Sequence, residues 1–181
     1  CDNRTPQKVK FLENCGFRRA VLARELSISE INDIRNETDI ELETFIHGSL
    51  CVSYSGQCYL SQFIGGRSAN RGECAQPCRN LYSLSDESGK IIVKDKHLLS
   101  LKDMNRSAYL EKLIDAGITS FKIEGRLKDP SYVKNITAYY RKLLDDILEK
   151  KNLQKGSSGK IFLNFTPDPE KSFNRGFTEY F

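Results

Sequence analysis

Three runs of alternating polarity, RRAVLAREL, DIELETFIHGSL and ITSFKIEGR, are interleaved with segments whose apolar residues recur at helical spacing. This alternation constrains the fold more than any other feature of the chain. A first helix is expected at the start, where Thr5 can cap it, Pro6 suits its first turn, Val9 and Leu12 share a side, and Gly16 can end it. A short buried strand centred on Val21 and Leu22 follows. Ser27 and Glu30 then have the spacing of a capping box, with Ile28, Ile31 and Ile34 behind it. In the second strand Ile40, Leu42 and Ile46 fall on one face, and Glu41, Glu43 and His47 on the other. After a cysteine-rich stretch, LYSLSDESGKIIV reads as two strands around a Ser-Gly turn, and AYLEKLIDAG as a helix stopped by Gly117. The third strand sets Phe121 and Ile123 against Lys122 and Glu124. The helix after it is the clearest: Asp129 caps it, Pro130 takes the first turn, and Val133, Ile136, Tyr140, Leu144 and Ile147 form its apolar stripe. KNLQKGSSGK reads as a flexible connector, and IFLNF as a last strand belonging to something else.

The alternation predicts an α/β architecture with parallel strands. Three such strands fall short of the eight that close a barrel, so the residues alone read as part of a barrel or as a small open sheet. Polar residues gather at the strand ends: Arg24 and Glu25 after the first, His47 after the second, Glu124 and Arg126 after the third. Ligands bind at the carboxyl ends of strands in α/β folds. Each residue taken singly can equally be a solvated loop charge, and it is the convergence of three strand ends that favours a site.

Four of the six cysteines, Cys51, Cys58, Cys74 and Cys78, lie in one glycine- and arginine-rich stretch with the spacing C-x6-C-x15-C-x3-C. No apolar run approaches the roughly 18 residues of a membrane-spanning helix, and CDNRTPQKVKF is not a secretory signal. A cytoplasmic location with reduced thiols is therefore expected, which argues against disulfides. Only Cys74 and Cys78 form the short knuckle usual in zinc sites, whereas clusters accept varied loops if four thiolates converge. Gly56, Gly65, Gly66 and Gly72 would let the loop fold back, and Pro77 would fix its direction beside Cys78. Arg67, Arg71 and Arg79 could stabilise thiolates or a negative cluster, or instead bind a phosphate or carboxylate. A metal or cluster loop is the favoured reading, with structural thiols and a reactive thiol as the alternatives. Cys15 reads as a small buried side chain and Cys1 as a bystander. His47 and Cys51 could pair as base and nucleophile, but no orienting partner is evident. His97 is the only other histidine, which excludes an HExxH protease. The net charge of +4 (28 basic, 24 acidic) permits an anionic partner such as RNA without demanding one.

ELETFIHGSLCVSYSGQCYLS resembles the signature of the collagenase-like peptidase family of unassigned catalytic type, family thirty-two of the U class. The pattern E-x-F-x-x-G-S/A-x-C-x4-G-x-C-x-x-S falls on Glu43, Phe45, Gly48, Ser49, Cys51, Gly56, Cys58 and Ser61. GGRSANRGECAQPCR, FKIEGRLKDPSYV, VLAREL and FNRGFT resemble further family segments, so the resemblance covers nearly the whole chain. It implies the later part of a TIM-like (β/α) barrel, incomplete here, over residues 1–151, with a cysteine-rich insertion at 51–79. Residues 152–181 would be a connector and the start of a further C-terminal domain, and a partner domain or subunit would complete the barrel. Several members of the family hydroxylate without oxygen, acting on a tRNA wobble uridine, a 23S ribosomal RNA cytidine or a quinone precursor. Prephenate is implicated as hydroxyl source in RNA-modifying members, and four cysteines hold a 4Fe–4S cluster in the quinone-pathway members. Carried over by position, the ligands would be Cys51, Cys58, Cys74 and Cys78. The GGRSANRGECAQPCR form is most similar to the long-chain subgroup that hydroxylates ribosomal RNA.

The resulting expectation is an RNA-hydroxylating enzyme with an iron–sulfur cluster, in which zinc could replace iron in aerobic preparations. Arg24, Arg67, Arg71 and Arg126 would attract anionic substrate, and Glu43, His47 and Glu124 would transfer protons or hold polar groups. A collagenase-like peptidase using Glu43 and His47, metal-dependent or not, is one alternative. A zinc-stabilised, non-catalytic scaffold is the other.

Overall fold

In a computed structural model describing residues 2–154 and 161–179, the second alternating run forms β2 (Glu41–Gly48), around which the sheet is organised. β1 (Arg19–Val21) lies parallel on one edge, with Arg19 opposite Glu41 and Val21 opposite Glu43. β6 (Ile118–Ile123) lies parallel on the other, with Glu43 opposite Ser120 and Phe45 opposite Lys122. Past the end of β1, its edge is taken by β5 (Asp103–Asn105), which runs antiparallel and sets Asn105 against His47 and Met104 against Gly48. β7 (Phe177–Thr178) pairs parallel with β5. The architecture is thus mixed α/β, and the sequence predicted its three parallel strands but not β5 or β7.

Four helices belong to the same compact unit, residues 3–49 with the described residues from 102 on. They are α1 (Pro6–Asn14), α2 (Ile28–Glu37), α4 (Leu110–Asp115) and α5 (Pro130–Lys150). The predicted caps form: the Thr5 hydroxyl accepts from Lys8 N, Ser27 and Glu30 make a reciprocal capping box, and the Asp129 carboxylate accepts from Tyr132 N. The helices bury Val9, Ile31, Ile34, Leu110, Leu113 and Ile136 against Leu22, Leu42, Ile46 and Ile118 of the strand segments. Each such side chain contributes about 1.5–3 kcal/mol of transfer free energy.

Residues 50–101, with Asp2, form a second compact unit. It holds α3 (Leu60–Gly65) and the predicted hairpin, β3 (Tyr82–Ser85) antiparallel to β4 (Ile91–Lys96). Among the described residues of this unit, only Leu50, Ser55, Ser61 and Pro77 are buried.

Several expectations are corrected. Cys15 is exposed, because six residues beyond the buried Val9 lies on the far side of a 3.6-residue turn. Val133 is also exposed: the first turns of α5 bury Tyr132 and Ile136 instead. IFLNF (161–165) forms no strand; Phe162 is 90% exposed, and it is Phe177 and Thr178 that pair with β5. His47 does not share an exposed polar face with Glu41, since the strand register shifts between Phe45 and His47 and the histidine is buried. Residues 155–160 of the connector, and Cys1, lie outside the described residues. No helix among the described residues is long and apolar enough to cross a membrane.

Candidate functional site

In the larger unit the carboxyl ends of β2 and β6 are locked together at Gly48. Its φ is +107°, and an added Cβ would lie 2.3 Å from the Glu124 carbonyl oxygen, so only glycine fits without displacement. Glu124 N donates to the His47 carbonyl (2.8 Å), and the Tyr132 hydroxyl donates to the Glu124 carbonyl (3.3 Å). The Glu124 carboxylate folds back to accept from Arg126 N (2.9 Å).

The His47 ring is 2% exposed and packs against Tyr132, Tyr140 and Phe177. Its Nδ1 lies 3.2 Å from the Tyr140 hydroxyl. That hydroxyl also contacts the Ile46 carbonyl (2.9 Å) and Asn105 Oδ1 (3.0 Å). Asn105 Oδ1 accepts from Ser107 N, which fixes the amide orientation. Two neighbours of the hydroxyl can only accept, and it has one proton, so the His47 Nδ1–H must donate to the Tyr140 oxygen. The lone pair of the neutral imidazole is then on Nε2. Burial lowers the His47 pKa to about 4, an effect opposed by the charge of Asp103 and reinforced by that of Lys128. Burial likewise raises the Tyr140 hydroxyl well above its ordinary range and Tyr132 to about 12.

Asp103, 1% exposed, sits beside this cluster. Lys128 Nζ is 3.9 Å from its Oδ2, and Arg175 Nη1 is 3.3 Å from its Oδ1 and 3.4 Å from Ser49 Oγ. Phe173 stacks under both cations.

Glu43 lies on the side of the sheet opposite Leu42 and Ile46, which face the helices. Burial pushes its pKa up, but hydrogen bonds from Ser120 (2.7 Å) and Lys122 (3.3 Å), with the charges of Lys122 and Arg19, hold the group below the usual value. It is a fixed negative charge. Phe45 shares this side, with Lys122 and Arg24 over its ring. Glu43, His47 and Glu124 therefore have separate side-chain partners.

In the smaller unit Cys51, Cys58, Cys74 and Cys78 are all free and partly exposed. Three clamps gather the segments that carry them. The Arg79 guanidinium, next to Cys78, donates to the carbonyl of Leu50, next to Cys51 (2.6 Å), and to Ser100 Oγ and the Leu101 carbonyl. The buried Ser61 hydroxyl accepts from Ala75 N, next to Cys74 (2.9 Å). Cys58 N donates to Asn70 Oδ1 (3.1 Å). Burial raises the Cys78 thiol pKa; the Arg79 charge opposes this, and Cys51, Cys74 and Cys58 add to it. Gln76 N donates to Cys74 Sγ (3.3 Å). Among the described residues no group of three or more His, Cys, Asp or Glu is arranged around one metal ion. Arg67 Nε donates to the Glu73 carbonyl (3.1 Å), and Arg71 is exposed.

The profile of Peptidase family U32 matches residues 1–181. The chain belongs to this family. Within it, the chain is 56% identical over its full length to the 23S rRNA 5-hydroxycytidine C2501 synthase of Escherichia coli, of which it spans 28%. It is 41% identical to tRNA hydroxylation protein P1 of Bacillus subtilis, over 76% of this chain and 34% of that protein. It is 36% identical to a collagenase of Porphyromonas gingivalis, over 69% of this chain and 33% of that protein. The chain thus spans about a third of each of these relatives. No solved structure matches it.

Of the U32 signature residues, Gly48 closes the strand ends, Ser61 clamps the cysteine loop and Glu43 anchors the charged side of the sheet. Sequence reasoning missed Asp103, Lys128, Tyr132 and Arg175 around His47. The signals available were two segments singled out for the family resemblance, FNRGFT, which contains Arg175, and FKIEGRLKDPSYV, which contains Lys128 and Tyr132; Asp103 lies in an unremarkable charged run.

Proposed function

We propose that this chain is part of an enzyme that hydroxylates an RNA base without molecular oxygen, with ribosomal RNA cytidine as the first candidate substrate and a tRNA wobble uridine as the second. The observation carrying this reading is the 56% identity, along the whole chain, to a ribosomal RNA 5-hydroxycytidine synthase. The larger unit is read as part of a (β/α) barrel: β1, β2 and β6 join in chain order, helices cover one face, and charged side chains occupy the other. The smaller unit is then the cysteine-rich insertion, and the rest of the barrel comes from another part of the protein or from a partner.

Cys51, Cys58, Cys74 and Cys78 are the proposed ligands of a 4Fe–4S cluster. The clamps of Arg79, Ser61 and Asn70, which gather the segments carrying these cysteines, support the reading, and a cubane would spread four thiolates over four irons. A bound cluster would supply one-electron chemistry. The N–H donor on Cys74 Sγ is of the kind that tunes such clusters. Prephenate is the proposed hydroxyl source. Within the chain, His47 offers a neutral Nε2 able to accept a proton, and Arg24 and Arg126 supply positive charge at the strand ends. A cytoplasmic location goes with this reading, since that is where such RNAs are met.

Mass spectrometry of RNA from a deletion strain tests the reading. Loss of one hydroxylated base, restored by the wild-type gene and not by Cys58→Ser, is expected, together with iron and sulfide in anaerobically purified protein. An unchanged RNA inventory overturns the hydroxylase. The relative named a collagenase keeps one other reading in play: protein cleavage lost on His47→Ala would establish it.

A further inference from the structure

Helix α3 shows its apolar side chains to solvent rather than to a core. Ser61 is its buried residue, while Phe63 is 91% exposed, Ile64 57% and the preceding Tyr59 64%. Tyr59 and Phe63 are four residues apart, with Phe63 N bonded to the Tyr59 carbonyl, so the two positions share one helix face. Tyr54, earlier in the same loop, is 62% exposed. An apolar surface of this kind signals a partner.

The surrounding charge identifies the partner's chemistry. Residues 51–79 hold three arginines (Arg67, Arg71, Arg79) and one acidic residue (Glu73), a net of +2 from 3 − 1. Arg79 is committed to the carbonyls of Leu50 and Leu101, whereas Arg67 and Arg71, which follow α3, are exposed, with Arg67 Nε donating to the Glu73 carbonyl. Exposed rings beside exposed guanidiniums are what unpaired bases and their phosphates require: every base has a face to stack, and each phosphate a charge to meet.

We infer that Tyr59 and Phe63 form a stacking platform for unpaired RNA bases, flanked by Arg67 and Arg71 as phosphate contacts. This inference rests on the RNA reading above and names the surface that would hold the strand. It accounts for a surface without a core beside the cysteine loop, and it requires the target base to be presented single-stranded.

The test uses the full-length protein, a short fluorescein-labelled single-stranded RNA and the matching duplex. Phe63→Ala and Tyr59→Ala should each weaken single-strand binding by roughly tenfold or more while leaving duplex binding little changed. Thermal midpoint and iron content should not move. Phe63→Trp should restore affinity, and Phe63→Leu should not, since it keeps apolar area but no ring. Arg71→Ala should flatten the salt dependence of binding. Full affinity in Phe63→Leu overturns the platform, as does a lowered thermal midpoint with unchanged RNA affinity, which would mean that another part of the protein covers the helix. Hydroxylation by the wild-type protein is measured in parallel. Activity with unaltered binding by the variants removes the platform alone, whereas wild-type protein that neither binds nor modifies RNA removes the function it rests on.

Discussion

The two compact units stabilise themselves by different means. The larger one has a contiguous apolar cluster running from Val9 through Leu42 and Ile118 to Tyr140. The smaller one, of similar size to the smallest domains that fold alone, buries little beyond Leu50 and Pro77 and exposes Phe63, Leu84, Ile91 and Ile92. A chain of that length without a core needs a staple. Hydrogen-bond clamps from Arg79, Ser61 and Asn70 supply one. Hydrophobic burial thus secures the sheet, while side-chain chemistry secures the cysteine loop.

The largest expected effect breaks one unit and spares the other. Cys58→Ser with Cys74→Ser should abolish hydrogen-exchange protection across residues 50–101 while leaving β2, β6 and α5 protected. Equal protection in both units would contradict the contrast. Next come the glycines. Gly48→Ala meets both a positive φ and the Glu124 carbonyl oxygen, and should destabilise the larger unit by roughly 3 kcal/mol or more. Gly72→Ala in the smaller unit has a φ of +92° but open space, and should cost only about 1 kcal/mol, the backbone term alone. Denaturant midpoints of the two variants measure the difference.

A further effect, confined to acid pH, concerns His47. Its folded pKa of about 4 lies below the unfolded value of 6.5, so the unfolded chain takes up a proton first as pH falls. The associated stability is fully present above pH 6.5 and is lost on acidification toward about 4, up to roughly 3 kcal/mol. His47→Gln should lack this component of the pH profile. Tyr140→Phe removes the acceptor for Nδ1–H; it should cost about 1–2 kcal/mol and shift the imidazole nitrogen resonances away from a pure Nδ1–H tautomer. An unchanged nitrogen spectrum would refute the hydrogen-bond assignment.

What could be read from the sequence was what rests on local rules. The Ser27–Glu30 box, the Asp129 cap and the alternation in β2 follow from residues a few positions apart. β5 and β7 escaped because two or three residues carry no period. The surroundings of His47 escaped for another reason: Asp103, Lys128, Tyr140 and Arg175 come from segments far apart in the chain, and only the β2–β5 pairing and the return of β7 bring them together. The cysteine spacing marked out a single loop, but its clamps depend on side chains meeting backbone groups from 12 to 29 residues away.

The pairing of Gly48 with Met104 also sets an order of events in folding. β2 and β5 are hydrogen-bonded neighbours separated in the chain by all of residues 50–101, so their first encounter must close a long flexible loop. Once Arg79 holds the Leu50 and Leu101 carbonyls together, the same closure spans only a few residues on either side. Closing the Arg79 clamp first should therefore shorten the loop that pairing β2 with β5 has to close, and so speed completion of the sheet.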